Sequence, residues 1–195
     1  MTFDASAAGP PVPAPATGSA RGSVTGFAIG LAGSAVLGLP AGLIWNVVAP
    51  RATLQEVGKG TAEMVNAETT AFITADALFC LIAVVAGLLT GVLGYRFLVS
   101  RHDQARRTLA VSGLILGALA GAAVMMWLGQ EIGLSAYDHS LASSRTGALF
   151  SSQLALGAKS ALAFWPLLTS AVLLIAEWGV RRDARSAGDT PAHPA

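Results

Sequence analysis

The sequence predicts an all-α membrane protein built as a bundle of four transmembrane helices. Of its 195 residues, 53% are hydrophobic and only 12% are charged, which is not the composition of a soluble domain. Four apolar stretches each reach the length of about 20 residues that a helix needs to cross a bilayer. Polar segments separate the stretches, so each one predicts its own span.

The four spans cover roughly residues 24–48, 75–98, 109–128 and 161–180. The chain between them forms two longer loops at 49–74 and 129–160 and one short middle loop, so residues 24–180 make a single transmembrane domain. The first span lacks a compact basic segment before it and is too long for a signal peptide, so we predict an uncleaved anchor.

Both ends of the chain predict disordered tails. Residues 1–23 are dominated by Pro, Ala, Gly and Ser, and residues 181–195 end in the similar string SAGDTPAHPA. Neither stretch has an apolar period that could bury it against a core.

The arginines predict the orientation. Eight of the twelve basic residues lie in the two tails, in the middle loop or beside it. The two longer loops hold four basic residues, against six acidic residues when Asp76, just after the first loop, is counted with them. Because basic residues collect on the cytoplasmic side of a membrane, both termini are predicted to be cytoplasmic and the longer loops to face outward from the cell membrane.

Small residues recur every four positions in three of the spans and predict close helix packing. Small residues let helix backbones approach in lipid, where no hydrophobic force presses helices together. The packing residues are Gly26, Gly30, Ser34, Gly38 and Gly42 in the first span, Gly87 and Gly91 in the second, and Gly113, Gly117 and Gly121 in the third. We expect helices one to three to meet through these ladders within one chain. The alternative is that one ladder faces a second protomer.

The polar residues inside the spans have ordinary structural explanations. No charge lies at mid-depth, Asp76 suits the start of the second helix, and Glu177 is placed to pair with Arg181 one turn later. Pro40 and Pro166 can kink their helices. The four tryptophans lie toward span ends and are predicted to anchor the helices at the membrane interface.

The first longer loop contains a Gly-Lys-Gly turn between two short runs with Val and Thr, which is consistent with a small extracytoplasmic hairpin, although the same residues also permit helix. In the second longer loop, Glu131, Asp138 and His139 lack the spacing of a metal site. The single cysteine, Cys80, excludes an intrachain disulfide. We expect no metal, cofactor or catalytic residues, and the near-neutral charge argues against nucleic acid.

The strings GLPAGLIWNVVAPR and AETTAFITADALF, followed by a Gly-rich span, resemble domain-of-unknown-function family 2567, a family of actinobacterial four-span membrane proteins. The likeness covers roughly residues 25–180. It implies a four-span fold and no particular activity. Because the family-like pattern coincides with acidic charge at Glu68, Phe72 and Asp76, these three residues are the candidate outer-surface site.

Packing glycines without buried charge favour a non-enzymatic scaffold or accessory subunit of a cell-envelope complex. Its partners would be the lipid bilayer and a membrane protein or a second copy of the chain. The alternative is a component of a transporter or channel, in which Pro40 and Pro166 would mark flexible points.

Overall fold

A computed structural model of the chain describes residues 17–58, 61–66, 70–100, 104–143, 145 and 147–188. The helices are α1 (Thr17–Val48), α2 (Ala71–Gly94), α3 (Gln104–Ser143) and α4 (Phe164–Gly188). A π-helical turn, Tyr95–Val99, extends α2, and a 3-10 helix, Lys159–Ala163, precedes α4. The strands are β1 (Thr53–Gly58), β2 (Thr61–Met64) and β3 (Leu149–Ser151).

Four of the described helices are long and apolar enough to cross a membrane, so the predicted all-α bundle of a multi-pass membrane protein is confirmed. The strands all connect helices at one end of the bundle, which we call the sheet end. At the opposite end lie Arg96, Arg107, Arg181 and Arg182, and we call it the arginine end.

Helices α1 and α3 run parallel and pack backbone to backbone along their glycine ladders. A Cβ atom at Gly42 would lie 2.7 Å from the Met125 carbonyl oxygen, and one at Gly117 would lie 2.7 Å from the Gly30 oxygen. Nearer the arginine end, a Cβ at Gly26 would make an ordinary 3.7 Å contact with the Ala110 Cβ. The two ladders therefore face each other inside a single chain.

The ladder of α2 packs against α4 instead of joining helices one and three as expected. A Cβ at Gly87 would meet the Leu168 Cβ at 2.9 Å, and one at Gly91 would meet the Val172 Cβ at 2.7 Å. The fourth helix has no small-residue ladder here, so the groove of α2 is filled by large side chains of α4. The bundle is thus built from two parallel pairs, α1 with α3 and α2 with α4.

One buried tryptophan, phenylalanine or methionine from each helix fills the centre toward the sheet end. Trp45, Phe79, Met125 and Trp165 are all 0% exposed and belong to one hydrophobic cluster. The Trp45 and Phe79 rings meet edge to face at 5.1 Å. The interfacial placement predicted for Trp45 and Trp165 is therefore wrong, whereas Trp127 and Trp178 are exposed as interfacial anchors would be.

The buried indole N–H groups are both satisfied within the chain, which allows the tryptophans to lie in the core. Trp45 Nε1 donates to the Ala75 carbonyl oxygen over 2.9 Å, and Trp165 Nε1 donates to Thr90 Oγ1 over 3.1 Å. Thr169 Oγ1 donates to the Gly87 oxygen over 3.2 Å. These bonds join α1 to α2 and α2 to α4 inside the bundle.

The predicted hairpin is confirmed, and a third strand joins it. The sheet has the order β2-β1-β3 with antiparallel neighbours, and Leu54 of β1 lies opposite Met64 on one side and Phe150 on the other. Gly58, at the end of β1, has a φ of +120°, a conformation that L side chains rarely adopt. The residues of the Gly-Lys-Gly turn that follow, 59–60, lie outside the described part.

The helices run further than the predicted spans. α1 begins at Thr17, inside the predicted tail, and α4 continues to Gly188, inside the other. α3 continues to Ser143, so residues 129–143 of the predicted outer loop form a helical segment that we call the α3 extension. Residues 1–16 and 189–195 of the predicted tails lie outside the described part.

The prolines leave the helices unbroken. Pro40 lies inside the continuous α1, and Pro166 lies in the first turn of α4, where the missing N–H would have no helical partner.

The predicted pairing of Glu177 with Arg181 is not what the structure shows. Glu177 of α4 forms an ion pair with Arg107 at the start of α3, and both side chains are about one quarter exposed (28% and 24%). This ion pair ties α3 to α4 at the arginine end.

Candidate functional site

The structure separates the members of the predicted outer-surface site by role. Glu68 lies outside the described residues. Phe72 and Asp76 lie one turn apart in the first two turns of α2, at the sheet end. Phe72 is partly exposed, whereas Asp76 is half-buried and hydrogen-bonded.

The Asp76 carboxylate fastens the chain that leads into α4. It accepts the backbone N–H of Gly157 over 3.0 Å and that of Ala158 over 2.9 Å. A Cβ atom at Gly157 would lie 3.1 Å from Asp76 Oδ2, so the close approach favours glycine there. Both carboxylate oxygens are thus used in a structural contact between α2 and the segment before the 3-10 helix.

Phe72 lines a cavity of about 490 Å³ beneath the edge of the sheet. The remaining walls come from β1, β2, the α3 extension and the chain after β3: Leu54, Ala62, Glu63, Met64, Tyr137, Ser152, Gln153 and Ala155. The lining surface is more apolar than polar, and its polar side chains are Glu63, Tyr137, Ser152 and Gln153.

A second, more polar cavity of about 330 Å³ lies between the end of α1, the α3 extension and β3, and we call it the Arg51 pocket. It is lined by Asn46, Arg51, Ile132, Gly133, Tyr137, Ser140, Ser151 and Ser152. Tyr137 and Ser152 line both cavities, so the two are neighbours at the sheet end.

Local structure holds Arg51 over this pocket. Helix α1 ends at Val48 just before Pro50, and the chain turns so that Arg51 Nη2 donates to the Asn46 carbonyl oxygen over 3.1 Å. Asn46 is itself fixed, because its buried amide donates from Nδ2 to the Gly129 oxygen of α3 over 2.7 Å. The position of the guanidinium is therefore set by two helices of the bundle.

Hydroxyl groups complete the opposite wall. Ser152 is buried, and its Oγ accepts the Ala52 N–H over 3.2 Å, which leaves its own hydroxyl hydrogen for another acceptor. The Tyr137 ring packs against that of Phe150 at a tilt of 56°, with ring centroids 5.8 Å apart, an arrangement that orients its phenol. The lining contains one cation and no carboxylate. The pocket therefore carries a positive charge surrounded by hydrogen-bond donors.

Glu56 is a second unusual feature of the sheet end. It is 6% exposed on the inner face of β1, and its Oε2 has no hydrogen-bond partner in the described part of the chain. A buried carboxylate oxygen without a partner is costly in free energy. Glu56 is therefore a candidate for a group that meets a ligand or partner.

The described residues hold no group of three or more His, Cys, Asp or Glu side chains that could bind a metal ion. The sequence matches no family model, no curated protein and no solved structure.

Sequence reasoning missed the Arg51 pocket because its walls come from three separate segments. Two signals were present: Asn46 is a polar residue near the end of an apolar span, and Arg51 is one of only two arginines in the longer loops. Neither signal indicates that the helix after residue 128 would bring Gly133 and Tyr137 to the same place.

Proposed function

We propose that the protein is a non-enzymatic scaffold or accessory subunit of a cell-envelope complex, held in the cell membrane with both termini in the cytoplasm. The observation that carries this proposal is the filled centre of the bundle. Trp45, Phe79, Met125 and Trp165 leave no exposed surface between the helices at that level. A route for ions or solutes through a single copy would require such surface.

The buried polar groups within the spans support the same conclusion. Ser34 Oγ donates to the Gly30 oxygen over 2.8 Å, and Thr90 and Thr169 take part in the bonds between α2 and α4. All three are used for packing, so none is left to line a transport path. The orientation rests on the arginine distribution in the sequence.

A groove between α1 and α2 is the surface that best suits a partner within the membrane. Its volume is about 310 Å³, and its lining is almost entirely apolar. Gly33 lies in this groove, and a Cβ atom there would meet nothing within 4 Å. Among the α1 glycines from Gly26 to Gly42, Gly33 is thus the one whose surface is turned away from α3.

The test is purification of the tagged full-length chain from its native membrane in a mild detergent, with quantitative mass spectrometry of what accompanies it. We expect a second membrane or envelope protein in near-stoichiometric amount. Gly33→Phe, which fills the groove and leaves the α1–α3 contact untouched, is expected to reduce its recovery. Leu174→Phe is the matched control, because Leu174 is 71% exposed on α4.

Recovery of the chain alone would count against the proposal. So would selective ion or solute flux in proteoliposomes that is lost on Pro166→Ala, which would favour the transporter alternative. Membership of the four-span family 2567 stays a prediction of the sequence strings.

A further inference from the structure

We propose that the Arg51 pocket binds a phosphate group with a single negative charge, presented by the headgroup of an anionic phospholipid in the leaflet at the sheet end. In this site one guanidinium and several hydroxyl groups would hold the oxyanion of a phosphodiester. This ligand site is independent of the scaffold role and of its partner.

The charge of the pocket selects an anion. In the described part of the chain, the Arg51 guanidinium makes its hydrogen bond to the Asn46 oxygen and pairs with no carboxylate. Arginine has five N–H donors in a planar fork that suits the paired oxygens of a phosphate. The remaining donors of Arg51 are therefore available to a bound oxyanion.

The acidic residues of the α3 extension lie off the pocket. Gly133, Tyr137 and Ser140 recur at helical spacing and form the pocket wall, whereas Glu131 and Asp138 are absent from the lining and exposed. A positive ammonium headgroup, as in choline lipids, would thus find no carboxylate in the pocket. A glycerol headgroup would instead meet Ser151, Ser152 and Tyr137, whose hydroxyls suit a polyol.

The single arginine also limits the charge of the ligand. No second Lys, Arg or His lines the pocket, so one positive charge faces the ligand. A phosphodiester carries one negative charge, which Arg51 alone balances.

The depth of the pocket indicates a lipid source. From Arg107 to the exposed Trp127, α3 rises about 30 Å, the thickness of the apolar core of a bilayer. Ile132, on the pocket wall, then lies about 8 Å beyond this core. That is the level of the lipid headgroups, and a volume of about 330 Å³ suits a headgroup without its acyl chains.

The test is native mass spectrometry of the full-length protein from micelles that contain equal amounts of phosphatidylglycerol and phosphatidylcholine. We expect bound phosphatidylglycerol to exceed phosphatidylcholine, and Arg51→Gln to reduce the excess about tenfold, as expected for losing a charge-assisted hydrogen bond. Arg145→Gln is the matched control, because Arg145 is exposed at the sheet end outside the pocket. Tyr137→Phe keeps the ring against Phe150, removes only the hydroxyl and is expected to give a smaller reduction.

Glycerol 3-phosphate and inorganic phosphate, titrated against the protein in phosphatidylcholine nanodiscs, separate the two sources of the phosphate group. Absence of their binding together with the phosphatidylglycerol preference identifies the lipid. Binding of either one that is lost in Arg51→Gln would keep the phosphate chemistry but overturn the lipid source. Equal retention of both lipids, without binding of either phosphate compound, would overturn the site. So would an excess of phosphatidylglycerol that is unchanged in both Arg51→Gln and Tyr137→Phe.

Discussion

At the scale of single residues, the polar side chains at the sheet end connect segments that are far apart in the chain. Asp76 holds the backbone of Gly157 and Ala158, and Asn46 reaches from α1 to the carbonyl of Gly129. Each bond ties a loop or helix end to a different helix. These residues therefore fix the position of the loops that surround the two cavities.

Replacing Asp76 by alanine is expected to destabilise the fold by about 1–2 kcal/mol, because two charge-assisted bonds to backbone N–H groups are lost. Asp76→Asn keeps one acceptor oxygen and should lose less. Thermal unfolding of the purified protein in one detergent gives the ranking. Asp138→Ala, an exposed carboxylate on the α3 extension, is the control, and an equal loss there would contradict the account.

The ion pair between Arg107 and Glu177 is expected to act as a coupled unit. A double-mutant cycle with Arg107→Gln and Glu177→Gln should give a coupling energy of about 0.5–2 kcal/mol, because the partners are in contact and mostly shielded from water. Arg107 Nε is buried without a partner in the described residues, so Glu177→Gln alone should be the costlier change. Strictly additive effects would show that the contact contributes nothing.

At the scale of helices, the bundle uses two kinds of contact. The ladder glycines of α1 and α3 mostly meet the backbone of the facing helix, whereas the glycines of α2 receive the side chains of Leu168 and Val172 of α4. The second kind explains why α4 needs no ladder of its own. Both contacts depend on glycine at positions such as Gly38, Gly42, Gly87 and Gly91, where even a methyl group would strike the facing helix.

Adding one methyl group should have different effects on stability on the two faces of α1. Gly38→Ala is expected to lower stability by about 1–3 kcal/mol, because the new Cβ would overlap the Gly121 carbonyl oxygen. Gly33→Ala, where the same methyl meets nothing within 4 Å, should be neutral or slightly stabilising. Unfolding midpoints in one detergent compare the two, and similar values would contradict the assigned helix face.

The four helices could be predicted from apolar length because the bilayer sets that length directly. The pairing of α2 with α4 could not be predicted. Glycine spacing shows where another helix can approach the backbone, but it does not show whether the approaching residue is a glycine or a large residue such as Leu168. The α3 extension was predicted as loop because Gln130, Glu131 and Asp138 interrupt the apolar run. In the structure Glu131 and Asp138 are exposed on the helix, and a helix tolerates such residues on an exposed face.

At the scale of the whole molecule, the two ends have different chemistry. The arginine end carries the short link between α2 and α3, and the sheet end carries the strands, the α3 extension and both polar and apolar cavities. Because the centre of the bundle is filled and the cavities lie at the sheet end, the protein is suited to binding at that end. The proposed orientation places this surface outside the cytoplasm.

Cysteine labelling tests that orientation. In a Cys80→Ala background, Thr61→Cys in the hairpin is expected to react with an impermeant thiol reagent added to intact cells. Ser100→Cys, at the arginine end, should react only after the membrane is opened. Both native residues are exposed, so accessibility within the fold is matched. The reverse labelling pattern would invert the topology.

The central claim is that the ladders of α1 and α3 pack within one chain, so that binding is left to other surfaces. Cysteines at Gly26 and Ala110, in the same Cys80→Ala background, place two Cβ atoms 3.7 Å apart, a separation typical of a disulfide. With a protease site inserted after Arg101, oxidation in the membrane should keep the two cleaved halves of a single chain together. Oxidised dimers of uncut chains, or the same yield from Gly33→Cys with Ala110→Cys, would contradict the claim.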